Sequence, residues 1–187
     1  NDPDVIFTTP SVFFSSIPGE GGSANNYSNP IEFTCPPLED AIFDSFYVNI
    51  DSDGGKFHTE LGFEIILGHV RLLLVDDDRG DNVQTIYQGD LYKRKMASHL
   101  WNKATAGSPP AGELAKYVSV IWFTGDSALD YLQAADISAM QQYLDGGGRL
   151  FLTGQGLAKE LRNEDSVFMR DYLHARYDTN FFHIEHI

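Results

Sequence analysis

Arg71-Leu72-Leu73-Leu74-Val75-Asp76-Asp77-Asp78 is the stretch whose reading decides the fold. It is a short apolar run that stops at three carboxylates, and Gly80 and a helical segment follow it. A strand of continuous apolar residues is one buried on both faces, as in a parallel sheet. Acids at its end deliver polar groups to the carboxyl edge, where open α/β sheets bind ligands. Before residue 70 the chain reads as β, and after it as alternating strand and helix.

Downstream, residues 82–100 read as a helix with Asp81 or Asn82 as N-cap. Val83, Ile86, Tyr87, Leu91 and Met96 form its apolar face, and Lys93-Arg94-Lys95 lies toward its C-terminal half, where the helix dipole favours cations. Residues 99–103 read as a second strand, 105–112 as a loop and 113–117 as a short helical turn. Val118-Ser119-Val120-Ile121-Trp122-Phe123-Thr124, ended by Gly125-Asp126, is the clearest strand. Residues 136–145 form a helix with Ile137, Met140, Gln141 and Leu144 at helical spacing, stopped by Gly146-Gly147-Gly148. Residues 149–153 are the next strand, closed by Gly154-Gln155-Gly156, and residues 166–173 a further helix with Ser166 as N-cap. Alternation at these lengths implies βαβ units, hence a parallel sheet with right-handed crossovers.

Upstream, residues 5–9, 11–14, 31–35, 43–50 and 60–67 read as short strands. Gly, Pro and Asn clusters divide them, as in an all-β sandwich. Four or five strands are fewer than the seven of an immunoglobulin-like sandwich. Either this half is the end of a larger β domain, or its open edge is completed by another chain. The expected architecture is α/β over residues 69–187, preceded by a partial β-sandwich over residues 1–68.

Thirteen basic residues against 27 acidic ones leave a formal net charge of −14. That excess argues against nucleic acid, whose phosphates are bound by Lys and Arg, and against anionic membrane surfaces. No apolar run of about 18 residues exists to span a membrane. Cys35 is the one cysteine, so neither an internal disulfide nor a cysteine-based zinc site can form. Asn1-Asp2-Pro3-Asp4 does not read as the start of a signal peptide.

Four stretches stand in order between residues 69 and 178: LLLVDDD at 72–78, VIWFTGD at 120–126, YLDGGGRLFLTGQ at 143–155 and F-x-x-D-Y-L-H-A at 168–175. Together they resemble a domain recurrent in large secreted bacterial proteins. That domain is similar to the class I glutamine-amidotransferase-like, flavodoxin-type fold. The resemblance implies an accessory module that follows a β-sandwich domain, often beside peptidase modules, in an extracellular or cell-surface setting. Residues 46–68 are similar to the end of such a sandwich. The same resemblance marks a departure. True amidotransferases carry a cysteine nucleophile in a G-x-C-x-G turn, and the matching turn here is Thr153-Gly154-Gln155-Gly156-Leu157. Gln155 stands at the nucleophile position, and an amide has no ionisable thiol with which to form a covalent intermediate. Cysteine-dependent amide hydrolysis is not expected.

Asp76, Asp77 and Asp78, with Asp126 from the neighbouring strand end, could converge to hold Ca²⁺ or Mg²⁺, which take several oxygen ligands; the plainer reading is that they cap helices. A receiver-like phospho-aspartate site needs a lysine at a late strand, and none matches. Ser127 or Thr153 with His174 as base would make a hydrolase, although neither context has a nucleophile-elbow pattern; His174 reads equally as a helix C-cap. His183 and His186, with Glu185, have a spacing that ligates metal only on a helix. Asp51-Ser52-Asp53-Gly54-Gly55 begins like an EF-hand loop but lacks its later bidentate acid, and reads as a turn. Trp101 and Trp122 read as core. The leading expectation is a non-catalytic structural or interaction module, with other chains or domains as partners through the β half or the C-terminal tail. The alternative is a hydrolase-type domain working through the strand-end acids, with a divalent metal.

Overall fold

A computed structural model describes residues 5–14, 16–17, 19–126 and 132–178. The chain divides into two compact units, Asn1–His69 and Val70–Ile187.

The second unit is built on a four-stranded, all-parallel sheet. Its strands are β5 (Leu72–Asp76), β6 (His99–Asn102), β7 (Ser119–Phe123) and β8 (Arg149–Thr153), in the order β6-β5-β7-β8. All five residues of the central strand β5 are buried, which is why its sequence shows no alternation. Two-residue periodicity assigns its side chains to opposite faces. Leu73 and Val75 join Val120 and Trp122 of β7 in one apolar cluster. Helix α3 (Ala111–Leu114) adds Leu114 to that cluster, α4 (Ala134–Asp145) adds Ile137, Met140 and Tyr143, and α5 (Leu157–Glu164) adds Leu161. Helix α6 (Ser166–Asp171) adds Phe168 and Met169. Trp122 and Phe168 are completely buried, each contributing about 2–3 kcal/mol of transfer free energy. On the other face stand Leu72, Leu74 and Phe123, and Tyr87 of α1 (Gln84–Lys93) stacks on Phe123 at 4.9 Å.

The turn from α4 into β8 depends on Gly148. A Cβ there would lie 2.3 Å from the Tyr143 ring. The Tyr143 hydroxyl accepts from Arg149 N–H at 3.2 Å and lies 3.2 Å from the Tyr117 carbonyl. One small residue thus lets a core aromatic fasten two loops.

Several sequence expectations are corrected. The helix read over residues 82–100 ends at Lys93, because Lys95 adopts a left-handed φ of 53° and Met96 N–H turns back to the Leu91 carbonyl. Leu100 therefore belongs to β6. Ile86 and Met96 are exposed, so the expected apolar face is covered only in part. Helix α6 is capped by Asp165, whose carboxylate accepts from the N–H groups of Val167 and Phe168, and Ser166 is its first residue. Helix α2 (Lys103–Ala106) and helix α5 were not anticipated.

The first unit contains two antiparallel pairs. Strands β1 (Ile6–Thr9) and β2 (Glu32–Thr34) form one, and β3 (Ile42–Ser52) and β4 (Phe57–Leu67) the other. Residues 11–14 form no strand. Among the described residues the expected partial sandwich thus comprises two separate two-stranded sheets. The β3–β4 hairpin is longer than the sequence suggested, since pairing continues to Ser52 opposite Phe57. A 3-10 turn at Asp53–Gly55 closes it, with Asp53, Gly54 and Gly55 all at positive φ. The Asp-Gly segment is therefore a hairpin turn, not a calcium loop. The register sets Phe46 opposite Phe63 and Val48 opposite Leu61 on one face, with Ile50 and Phe57 nearer the turn. Phe7 and Phe33 pack their rings on Phe46 at 5.7 and 5.1 Å. Ile50, Phe57, Leu61 and Phe63 remain exposed.

Candidate functional site at the carboxyl edge

Strand order reverses direction at β5 and β7, so the crevice beyond their carboxyl ends is the expected ligand position of an open α/β sheet. Asp76, Asp77 and Asp78 all lie there and all are buried, yet their side chains diverge. Asp76 accepts from Asp78 N–H at 3.2 Å and from Asn102 Nδ2 at 3.2 Å. Burial raises its carboxyl to about 6; the Asp78 N–H bond works against that, and the neighbouring acids add to it.

Asp77 points to the α4 face, as its parity with Leu73 and Val75 requires. Its Oδ2 accepts from Lys103 Nζ at 2.8 Å and from Trp122 Nε1 at 3.1 Å. Lys103 also donates to Asp136 Oδ2 at 2.6 Å. Asp136, on the first turn of α4, accepts in addition from Gln133 N–H at 2.8 Å, beside the positive end of the helix dipole. Burial raises the Asp77 carboxyl, while Lys103 and Trp122 oppose the shift. Lys103 lies 5.7 Å from the centre of the Trp122 ring, a cation–π distance. The result is a buried Asp–Lys–Asp cluster with one positive and two negative groups.

Asp78 serves the following loop. Its Oδ1 accepts from Gly80 and Asp81 N–H, and its Oδ2 accepts from Val83 N–H at 2.7 Å. The N-terminal role expected of Asp81 or Asn82 therefore falls to Asp78, three positions earlier than Asp81. Asp126 is exposed in the turn after β7, with its N–H facing Asp81 Oδ2 at 3.5 Å. Among the described residues, no group of three or more His, Cys, Asp or Glu side chains is arranged to hold a metal ion. The acids are committed to a lysine, an asparagine, an indole and backbone N–H groups.

The Gly154-Gln155-Gly156 turn lies beside this edge. Thr124 N–H donates to the Thr153 carbonyl and Gln155 N–H to the Gly125 carbonyl. Gly154 is demanded by close approach, since a Cβ there would stand 1.8 Å from Thr124 Oγ1. Gln155 is exposed at the strand-to-helix turn, and Gly156 has the left-handed φ of 74° that starts α5. Thr124 Oγ1 and Asp136 Oδ1 are buried without a hydrogen-bond partner among the described residues.

His174 lies exposed beyond α6 with a φ of 51°. Among the described residues, no hydrogen bond joins it to Thr153 or to a strand-end acid. Ser127, His183, Glu185 and His186 fall outside the described residues. Trp101 donates from Nε1 to the Gly107 carbonyl and packs on the main cluster, as expected of core. Sequence reasoning missed Lys103, Asn102, Asp136 and Thr124. In the strand expected over residues 99–103, Lys103 shares its parity with Trp101, which was a usable signal although Lys103 itself opens α2.

Comparison with known protein families, curated proteins and solved structures found no match.

Proposed function

We propose that this chain is a non-catalytic structural or interaction module of a secreted or cell-surface protein assembly. In this reading residues 69–187 form an amidotransferase-like, flavodoxin-type domain whose nucleophile position is held by Gln155. The observation that carries the proposal is the first unit's exposed apolar surface. Ile50, Phe57, Leu61 and Phe63 form a contiguous face of one hairpin and stay in solvent. Exposed apolar patches of this kind mark interaction surfaces. The commitment of the strand-end carboxylates to internal partners supports the non-catalytic part.

The test is an assay of the purified chain against glutamine, peptide and ester substrates. Product formation at the buffer rate is expected. Turnover that Lys103→Met or Gln155→Ala abolishes would overturn the reading. The alternative, a hydrolase-type domain with Ca²⁺ or Mg²⁺, rests on one observation: Asp76 and Asp77 stand buried at the switch point of the sheet. Calorimetric titration of Ca²⁺ and Mg²⁺ into the wild type and Asp77→Asn/Asp126→Asn decides it. Equal heats from both proteins end the metal reading.

A further inference from the structure

Strand β4 alternates in a way the interaction-module reading leaves unused. Phe57, Leu61, Phe63 and Ile65 share one face, and His58, Glu60 and Glu64 the other. The sheet contains only β3 and β4 among the described residues, so β4 has one edge without a strand neighbour. Gly62 leaves a gap on the polar face that Tyr47 covers, with its ring 3.1 Å from where a Cβ would stand. The exposed stretch from Phe57 to Phe63 thus presents apolar side chains on one side and carboxylates on the other.

We propose that this edge accepts a β-strand from another protein, one that alternates apolar residues with Lys or Arg. The inference rests on the interaction-module reading and names the surface and the partner chemistry. An added strand contributes main-chain hydrogen bonds, and its alternate side chains give specificity. Its apolar residues extend the Leu61–Phe63 face, and its cations lie on the side that carries Glu60, a favourable cross-strand arrangement. Charge decides against a second copy of this chain. Residues 1–69 hold eleven acidic residues against one Lys or Arg, Lys56, so pairing two such hairpins brings like charges together. A strand of about seven residues, about 23 Å long, is enough to cover the segment from Phe57 to Phe63.

The test uses the intact chain and a labelled nonapeptide alternating Lys with Val, followed by fluorescence anisotropy. A peptide of the same composition in two blocks, and an alternating Glu–Val peptide, are the comparators. The Lys–Val alternate is expected to bind about tenfold more tightly than the block peptide, the Glu–Val peptide not at all, and Leu61→Ser and Glu60→Lys each to weaken binding about fivefold or more. Both variants change exposed side chains, and far-ultraviolet circular dichroism confirms that they fold. Amide shifts confined to β4 support the edge. Equal binding of the alternating and block peptides, or unchanged binding by both variants, overturns the proposal. So does a dimer in sedimentation velocity that Leu61→Ser dissolves, since the occupant would then be a second copy. Any of these leaves the interaction-module reading standing, whereas substrate turnover defeats that reading whatever the peptides do.

Discussion

At Lys103 one ammonium faces two carboxylates, Asp77 at 2.8 Å and Asp136 at 2.6 Å, and all three side chains are nearly out of solvent. Removing the cation strands two buried anions, a change that costs about 3–5 kcal/mol in comparable settings. Lys103→Met should therefore lower stability by about that amount at pH 7 in urea unfolding, and by less at acid pH, where Asp77, whose carboxyl is raised by burial, takes up its proton. A pH-independent loss would show that packing of the lysine stem matters more than its charge. Asp76 makes a separate prediction. Its folded carboxyl is raised by burial to about 6, against an ordinary value of 3.8. Between those pH values the unfolded state has released the proton and the folded state keeps it, so stability falls as pH rises through the window and levels off above it. The expected loss is on the order of 1–2 kcal/mol after solvent screening. Carbon-13 NMR of the Asp76 carboxyl should give a midpoint near 6; an ordinary carboxylate midpoint removes the effect. Asp76 and Asp77 were legible in the sequence as edge acids. Their partners were not, because Lys103 lies 26 positions from Asp77 and 33 from Asp136, and no local pattern reports such distances.

Helix boundaries show what a local reading captures. Strand β8 matches the sequence expectation at both ends, since Gly146-Gly147-Gly148 and Gly154-Gln155-Gly156 bracket it. Helix α1 was overextended because Lys93-Arg94-Lys95 are good helix formers, and nothing in residue type announces the left-handed Lys95. At α6 the capping residue was misplaced by one position, Asp165 for Ser166. Because Asp165 accepts from two otherwise orphaned N–H groups, Asp165→Ala should cost about 1 kcal/mol. Ser166→Ala should cost a few tenths at most. Denaturant midpoints at constant slope measure both, and a larger loss at Ser166 would return the cap to that residue. Helix α5 went unread because its lysine, arginine and glutamates mask the buried Leu161.

Across the whole chain the formal charge is −14, and self-repulsion of that kind opposes the compact state. Raising NaCl from about 0.01 to about 0.15 M shortens the screening length from about 30 to about 8 Å. The melting temperature should rise by a few degrees as a result, and a flat or falling curve would show that the ion pairs outweigh the repulsion. The sequence by itself determined the change from β to α/β near residue 70, the positions of the four parallel strands and the acidic edge after β5. It also determined that Gln155 supplies no thiol. These follow from period, turn residues and residue chemistry, all of which act within a few positions. Only the tertiary structure decided the strand order β6-β5-β7-β8, the division of the three acids among separate partners and the exposure of one hairpin face. Those depend on which distant segments meet, and a carboxylate's role is set by the donor that arrives beside it.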